Sequence, residues 1–218
     1  MNQIFGKWFE YIDDKQLIMY RKKVLDCKLR NIPIEPSPEL VFHCFQATKA
    51  EDLKVVILGQ DPYFDGSATG LAFANSADKK VLSPSLKVIK DSVLSLADSK
   101  ESPTFDQTLE SWAKQGILLL NSALTVRRGE PGSHMNAWRP FIEKLLVSLS
   151  AQTNVCFLLF GKVAWSFKDC IFDKDRGVFM EYHPAYYARL NIPMPTIVWK
   201  QMLEYVQENY GVSLKLYE

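Results

Sequence analysis

Asp61, Asn121 and His183 each stand at or just after the end of a short apolar run, and their side chains can act on a substrate that develops charge. A carboxylate such as Asp61 can orient water or stabilise developing positive charge. The Asn121 carboxamide carries a donor beside an acceptor, which complements a pyrimidine edge, and a neutral His183 imidazole can stabilise an oxyanion. Tyr63 and Phe73 lie close by in sequence, and aromatic faces stack on bases. Together these side-chain types indicate an active site.

Four apolar runs predict the strands that would bring these side chains together, over residues 55–59, 117–121, 155–161 and 178–184. Helical segments alternate with them, which is typical of an α/β fold with a central four-stranded parallel sheet flanked by helices on both faces. Right-handed crossovers place all four carboxyl ends on one edge, where open parallel sheets bind ligands. The residues at that edge would be Gln60, Asp61, Asn121, Gly161, Lys162 and His183.

Apolar residues at helical spacing predict the helices between these strands. The expected helical ranges are 5–29, 38–47, 84–97, 106–114, 139–149, 162–172 and 196–209. Residues 32–38 contain three prolines and are expected to be extended. We find no internal repeat, low-complexity tract or linker, so residues 1–218 are expected to form a single domain.

The composition is that of an ordinary globular protein: 47% of the residues are hydrophobic, 23% are charged, and the net charge is +1. A net charge this close to zero does not by itself indicate a nucleic-acid partner, although local basic patches can bind phosphates. The four cysteines lack C-x-x-C spacing and the three histidines are dispersed, so no metal motif is expected. Without a signal peptide or an apolar run of membrane-spanning length, we expect a cytoplasmic protein with reduced thiols, monomeric by default.

Each of the three polar residues also has a simpler interpretation. Asp61 precedes a proline and could begin a turn, Asn121 could cap a turn, and His183 could be an ordinary surface histidine. Their placement at successive strand ends favours an active site over three independent structural roles.

The motifs around these residues resemble those of family 1 uracil-DNA glycosylases. The sequence GQDPY at 59–63 is similar to the water-activating motif of that family, and GLAF at 70–73 to the segment that holds its base-stacking Phe. LLLN at 118–121, followed by LTVR at 124–127, resembles the uracil-reading strand. The loop with Ser133, His134 and Trp138 and the strand ends LLFG and HP also match, and the similarity extends from about residue 36 to about residue 205.

This resemblance implies an enzyme that flips deoxyuridine out of single- or double-stranded DNA and hydrolyses its N-glycosidic bond, releasing uracil and leaving an abasic site in DNA repair. Asp61 would position the water and stabilise the sugar cation, while His183 would stabilise the departing uracil anion. Asn121 would read the uracil edge and Phe73 would stack on the base. Tyr63 would exclude the methyl group of thymine.

The resemblance also implies further contacts. Gln60 would help to build the pocket through its backbone. The residues expected to contact DNA phosphates are Ser83, Pro84, Ser85, Ser133, His134, Gly161 and Lys162. Neither a metal nor another cofactor is implied, and proteinaceous inhibitors of such glycosylases are further candidate partners.

Three stretches depart from the family pattern. Phe64 stands where the family usually has His, in a loop about one residue shorter, and Lys162 replaces a Ser while still being able to neutralise a phosphate. After the HP motif the family continues with SPLS, whose Leu wedges into the gap left by the flipped base. Here the chain continues with AYYAR, so we expect Tyr187 or Arg189 to be the wedge.

Three alternatives remain open from the sequence. The chain could be a glycosylase-like DNA-binding protein without activity, or a glycosylase that selects another base. It could also be a magnesium phosphotransferase with Asp61 at a strand end, which would need further acidic ligands besides Asp65.

Overall fold

The computed structural model describes residues 5–98, 102–152, 154–172 and 177–218. The strands are β1 (Ile34–Glu35), β2 (Val55–Gly59), β3 (Ile117–Asn121), β4 (Val126–Arg127), β5 (Cys156–Phe160) and β6 (Val178–Glu181). The α-helices are α1 (Asp14–Leu29), α2 (His43–Ala47), α3 (Pro84–Leu94), α4 (Glu110–Lys114), α5 (Met135–Gln152), α6 (Gly161–Trp165), α7 (Pro184–Leu190) and α8 (Ile197–Tyr210). Short 3-10 turns cover Gly6–Glu10, Ala50–Asp52 and Lys168–Cys170.

The predicted four-stranded parallel sheet is confirmed, with the strand order β3–β2–β5–β6. Every residue of β2, β3 and β5 is buried, because these strands are apolar on both faces and helices surround them. The register places Gly59 opposite Asn121, so the first two strands end at the same level. The last two strands are shorter than predicted, since α6 begins at Gly161 and His183 is the N-cap of α7.

Several helices differ from the predicted ranges because local hydrogen bonds interrupt the apolar periodicity. The helix expected from residue 5 is broken, since Asp13 accepts a hydrogen bond from the Lys15 N–H and caps α1. The carboxylate of Asp106 accepts bonds from two later backbone N–H groups and holds a turn, so α4 begins only at Glu110. By contrast, α5 begins at Met135 and continues through Pro140.

A small antiparallel ribbon connects the proline-rich segment to the loop that follows β3. In this ribbon β1 pairs with β4, with Ile34 opposite Arg127 and Glu35 opposite Val126. The guanidinium of Arg128 contacts the buried Glu35 carboxylate, with Nε donating at 2.7 Å. The sequence predicted an extended segment here but not its pairing.

The buried apolar side chains of the described residues form a cluster that includes Phe5 near the start of the described chain and Leu216 near its end. All four cysteines carry free thiols. Over the parts of the chain that the structure describes, no helix is long and apolar enough to cross a membrane.

Candidate active site

A cavity of about 350 Å³ opens at the carboxyl edge of the sheet. The side chains predicted to do chemistry all line it: Gln60, Asp61, Tyr63, Phe73, Asn121 and His183. The rim adds Phe64, Ser85, Pro131, Ala185 and Arg189. The expectation that the strand ends bring these residues together is therefore met, and the cavity is large enough for a single nucleobase with its sugar.

Asp61 follows β2, and its carboxylate is anchored from the loop that follows β4. The backbone N–H of Gly132 donates to Oδ2 of Asp61 at 2.6 Å. Burial raises the pKa of Asp61 above its ordinary value, and hydrogen bonds from Gly132 and Gln60 offset part of that increase. Sequence reasoning missed Gly132, because only tertiary folding brings a residue 71 positions away to the carboxylate.

His183 is held in its neutral form with one nitrogen available to a ligand. Its Nδ1 accepts a hydrogen bond from the Ala185 N–H at 3.2 Å, so the proton of the neutral ring lies on Nε2. Burial, followed by the positive charge of Arg189, lowers the pKa of His183 to about 4. A neutral imidazole of this kind donates a hydrogen bond to a developing oxyanion without first gaining a proton.

Gly161 gives His183 the space it occupies. The glycine adopts a φ of +85°, and a Cβ placed on it would lie 2.8 Å from Cβ of His183. Gly161 is itself buried beside His183, so the phosphate contact expected from the sequence, which remains a prediction, would have to be made by its backbone. Lys162, the next residue, is exposed.

If Asp61 and His183 have the roles that the resemblance implies, activity should need Asp61 ionised and His183 neutral, and its pH dependence should follow from these two groups. Both forms are present above the respective pKa values. We therefore expect a plateau of kcat/KM through neutral pH and a decline as the pH falls towards the raised pKa of Asp61 and the value of about 4 for His183. Initial rates between pH 4 and 9, with stability checked at each pH, measure the profile. A maximum on the acidic side would contradict this assignment.

Asn121 and Phe73 form the inner part of the cavity. The Asn121 side chain is only 7% exposed, and within the described residues its carboxamide has no hydrogen-bond partner in the protein. The Phe73 ring lies 5.5 Å from the His183 ring. Phe73 itself adopts a φ of +67°, a left-handed conformation that bulky residues rarely take and that is found mainly at functional sites. Among the described residues no buried side-chain N or O atom lacks a partner, so the Asn121 amide is open to the cavity, where a ligand can supply its hydrogen bonds.

Replacing Gly59 by Ala tests this arrangement. A Cβ at position 59 would lie 2.8 Å from Oδ1 of Asn121 and 3.1 Å from Cζ of Phe73. We expect the activity of the site to fall by about 10²-fold, since small displacements of positioning groups have effects of this size. The fold should survive because Gly59 is not held in a left-handed conformation. Circular dichroism checks the fold, and unchanged activity would show that the cavity tolerates the methyl group.

Tyr63 is fixed by two hydrogen bonds through its hydroxyl group. The hydroxyl donates to the backbone carbonyl of Phe73 at 3.1 Å and accepts from Oγ of Ser83 at 2.5 Å. Burial raises the pKa of Tyr63 to about 12, so the phenol remains protonated. Ser83 is buried and holds the tyrosine, whereas the sequence had predicted a contact with DNA. Pro84 is exposed in the first turn of α3.

Two further residues of the predicted phosphate-binding set, Ser85 and His134, have different surroundings. Ser85 lines the cavity, and its hydroxyl has no hydrogen-bond partner among the described residues. His134 is half-buried and pairs through Nδ1 with the Thr125 hydroxyl, whose oxygen also accepts from Trp138. The Thr125 hydroxyl therefore donates to Nδ1 of His134, which leaves the ring proton on Nε2. This N–H could donate a hydrogen bond to a phosphate oxygen. Ser133 instead accepts a bond from a backbone N–H, which shapes the loop.

The two candidate wedge residues have different environments. Tyr187 is 5% exposed, packs in the core and donates from its hydroxyl to the Glu181 carboxylate. This position does not fit insertion into a duplex, which would require the side chain to leave the core and give up a hydrogen bond. Arg189 is exposed and lies at the cavity rim, so it remains as the candidate.

The magnesium alternative lacks a ligand set. Over the residues that the structure describes, no three His, Cys, Asp or Glu side chains are grouped so that they could hold a metal ion. The Asp65 carboxylate accepts hydrogen bonds from the backbone N–H and the hydroxyl of Ser67, which lies in the same loop.

Known proteins give an independent comparison. The family model "Uracil DNA glycosylase superfamily" matches residues 45–204. A Borrelia turicatae protein named uracil-DNA glycosylase is 36% identical over 204 residues, which cover 92% of this chain and 89% of that protein. The crystal structure of mimivirus uracil-DNA glycosylase has a TM-score of 0.82 at 22% identity, covering 98% of this chain and 87% of that one. A mimivirus UNG variant in complex with UGI has a TM-score of 0.78 at 23% identity, covering 89% and 80% respectively. From the family match over most of its length, the chain belongs to the uracil-DNA glycosylase superfamily.

Proposed function

We propose that this protein is a DNA repair glycosylase that excises uracil. The observation that carries the proposal is the Asn121 carboxamide, which lines the same cavity as Phe73 and His183 and is not held by a hydrogen bond among the described residues. Its donor and acceptor complement O4 and the N3–H of uracil, while Phe73 stacks on the ring. Cytosine presents the opposite donor and acceptor at these two positions, so the same amide disfavours it.

The reaction follows from the groups on either side of the base. The bond between C1′ of the sugar and N1 of uracil breaks, and its electron pair leaves with the base. Nε2–H of His183 donates to O2 of the resulting anion, and the Asp61 carboxylate faces the cationic sugar. Asp61 also orients the water that adds to C1′ and accepts its proton. The products are uracil and an abasic site.

The position of Tyr63 supports exclusion of thymine. A ring held at both the Phe73 carbonyl and Ser83 cannot easily move aside for a 5-methyl group, and a rigid wall discriminates better than a soft pocket.

Substitution of Tyr63 by Ala should therefore admit thymine. We expect Tyr63→Ala to release thymine from single-stranded DNA at a measurable rate while uracil release falls about 10-fold from poorer positioning. Tyr63→Phe, which keeps the wall but loses the hydroxyl, is the matched control and should release uracil alone. Release of thymine by neither variant would show that other side chains exclude the methyl group.

Several finer assignments belong to the same proposal. Ser85, His134, Lys162 and Arg189 would contact DNA around the flipped nucleotide, with Arg189 filling the gap in a duplex. The likeness to the mimivirus complex supports the further proposal that a proteinaceous inhibitor can cover this face. We also propose that the protein acts as a monomer in the cytoplasm, and its four free thiols suit a reducing compartment.

Uracil release from a single-stranded oligonucleotide in excess EDTA tests the function. Substrates with a single deoxyuridine, thymidine or deoxycytidine are incubated with the protein, and the free base is quantified. We expect release of uracil alone, unaffected by the chelator. No release from folded protein on either single or double strands would favour the binding-protein alternative, while activity that disappears in EDTA would contradict the mechanism.

A further inference from the structure

One wall of the active-site cavity, formed by residues 68–71, also borders a second cavity. Ala68, Gly70 and Leu71 line the active-site cavity, while Ala68 and Leu71 also line the second one, which measures about 320 Å³. Phe73 follows two residues after the wall, so a displacement of the wall would also move the stacking ring. Because there is space behind the wall, packing alone does not keep it in place.

A hydrogen bond from another segment holds the wall. Nδ1 of His43 lies 2.8 Å from the backbone carbonyl oxygen of Thr69, in the middle of the wall. A carbonyl oxygen can only accept, so Nδ1 carries a proton and donates it. His43 is the first residue of α2, whose Cys44 and Phe45 are buried, and the donor therefore belongs to an element that is packed into the core.

The second ring nitrogen of His43 faces a carboxylate. Nε2 lies 3.2 Å from Oε1 of Glu110, the first residue of α4, and the two side chains are only 25% and 33% exposed. A protonated ring donates to both acceptors at once. Among the described residues that line the second cavity, Glu110 is the one titratable group besides His43. The carboxylate thus favours the ring orientation in which Nδ1 points at Thr69.

Gly70 allows the wall to approach the segment that carries His43. It has a φ of +86°, and a Cβ placed on it would clash with the Leu40 carbonyl oxygen and lie 2.7 Å from Cβ of His43. A glycine is therefore needed here for both space and backbone conformation. This close approach brings the Thr69 carbonyl within reach of the imidazole.

We propose that His43 is a positioning residue whose hydrogen bond to Thr69 keeps the wall closed on the base, so that losing the bond weakens substrate binding and spares the chemical step. The inference rests on the proposed function. Neither His43 nor Glu110 is among the described residues that line the active-site cavity, so His43 acts through the wall. Without the bond the wall can move towards the second cavity. The apparent affinity then falls in proportion to the fraction of molecules whose wall is closed.

Two substitutions of His43 separate the hydrogen bond from packing. Asparagine carries an N–H close to the place of Nδ1 and can still donate to Thr69, whereas leucine is of similar size and cannot. On a single-stranded deoxyuridine oligonucleotide, we expect His43→Leu to raise KM about 10-fold and to change kcat by less than about 2-fold. His43→Asn should stay within about 2-fold of wild type in both constants. Gln46→Leu places the same side chain at an exposed position of α2 and should match wild type.

Three results would overturn the positioning role. An equal rise in KM for the Leu and Asn variants would show that packing of the ring matters and the hydrogen bond does not. A fall in kcat at unchanged KM would place His43 in the chemical step, and no change in either constant would show that the wall needs no such bond. If His43→Leu does not fold, Glu110→Ala keeps the ring but removes the carboxylate that orients it. Its KM should rise about 3-fold, and an unchanged KM would again overturn the role.

Hydrogen exchange reports on the wall without any substrate. The Ala72 N–H, next to the wall, donates to the Leu119 carbonyl of β3 at 3.1 Å, so its exchange should speed up when the wall opens. Mass spectrometry should show about 10-fold faster exchange at residues 68–72 in His43→Leu than in wild type or His43→Asn. If exchange follows this pattern but the wild type releases no uracil, the proposed function fails and the positioning role stands. If uracil is released and His43→Leu matches wild type in KM and exchange, only the positioning role fails.

Discussion

Replacement of Asp61 by asparagine is expected to lower kcat for uracil release by about 10³-fold, since both general-base and electrostatic contributions are lost together. Asparagine has nearly the same shape, so the hydrogen bond from Gly132 can persist while the negative charge disappears. Without that charge, nothing described in the cavity balances the cationic sugar or draws a proton from the water. Because substrate binding relies on Phe73 and Asn121, KM should change little.

Single-turnover kinetics on a single-stranded substrate measures this effect directly. Asp65→Asn is a matched control, because Asp65 lies in the same loop, accepts hydrogen bonds from Ser67 and is absent from the cavity lining. It should retain wild-type activity. An Asp61→Asn protein with more than a tenth of the wild-type rate would mean that another group orients the water.

Replacement of Asn121 by aspartate is expected to reduce uracil release by about 10²- to 10³-fold, because a buried site that loses a matched donor leaves polar groups unpaired. The carboxylate cannot donate to O4, and its charge would face that carbonyl oxygen at a position that is almost fully buried. Unlike the Asp61 variant, this protein should be affected in binding as well as in catalysis, since the amide contacts the base in both the ground state and the transition state.

Affinity for an oligonucleotide containing a non-cleavable deoxyuridine analogue, measured beside the rate, separates the two contributions. Asn209→Asp, in α8 and away from the cavity, controls for the added charge. If Asn121→Asp released uracil at the wild-type rate, the carboxamide would not be the base-reading group and the central observation behind the proposed function would be lost.

The cavity also shows how the chain departs from its relatives at the DNA-facing rim while keeping the interior. The interior groups are held by hydrogen bonds from several separate segments: Gly132 to Asp61, Ser83 to Tyr63, and Ala185 to His183. The rim carries the exposed Phe64 and Arg189. Differences in strand preference or inhibitor binding are therefore expected to arise at the rim, and base choice from the interior.

The sequence by itself determined the sheet and the set of polar and aromatic side chains that line the cavity. Short apolar runs such as residues 55–59 are typical of buried strands, and parallel strands joined by right-handed helical crossovers place their carboxyl ends on one edge. That geometry brings Asp61, Asn121 and His183 together without any knowledge of loops. Helix boundaries were harder to predict from the sequence. Side chains such as Asp13 and Asp106 accept hydrogen bonds from nearby backbone N–H groups and end the helical structure that the apolar periodicity predicts.

Only the tertiary structure decided which neighbouring residues hold the cavity-lining side chains in place. Ser83 fixes Tyr63, Gly161 makes room for His183, and Tyr187 is buried, and the sequence predicted none of these roles beside the expected contacts with DNA. The same is true of the hydrogen bond from Gly132 to Asp61. The physical reason is that a side chain's direction and partners depend on packing between distant segments. Spacing along the chain predicts which residues lie at the ends of neighbouring strands. It does not predict which of their side chains point into the cavity.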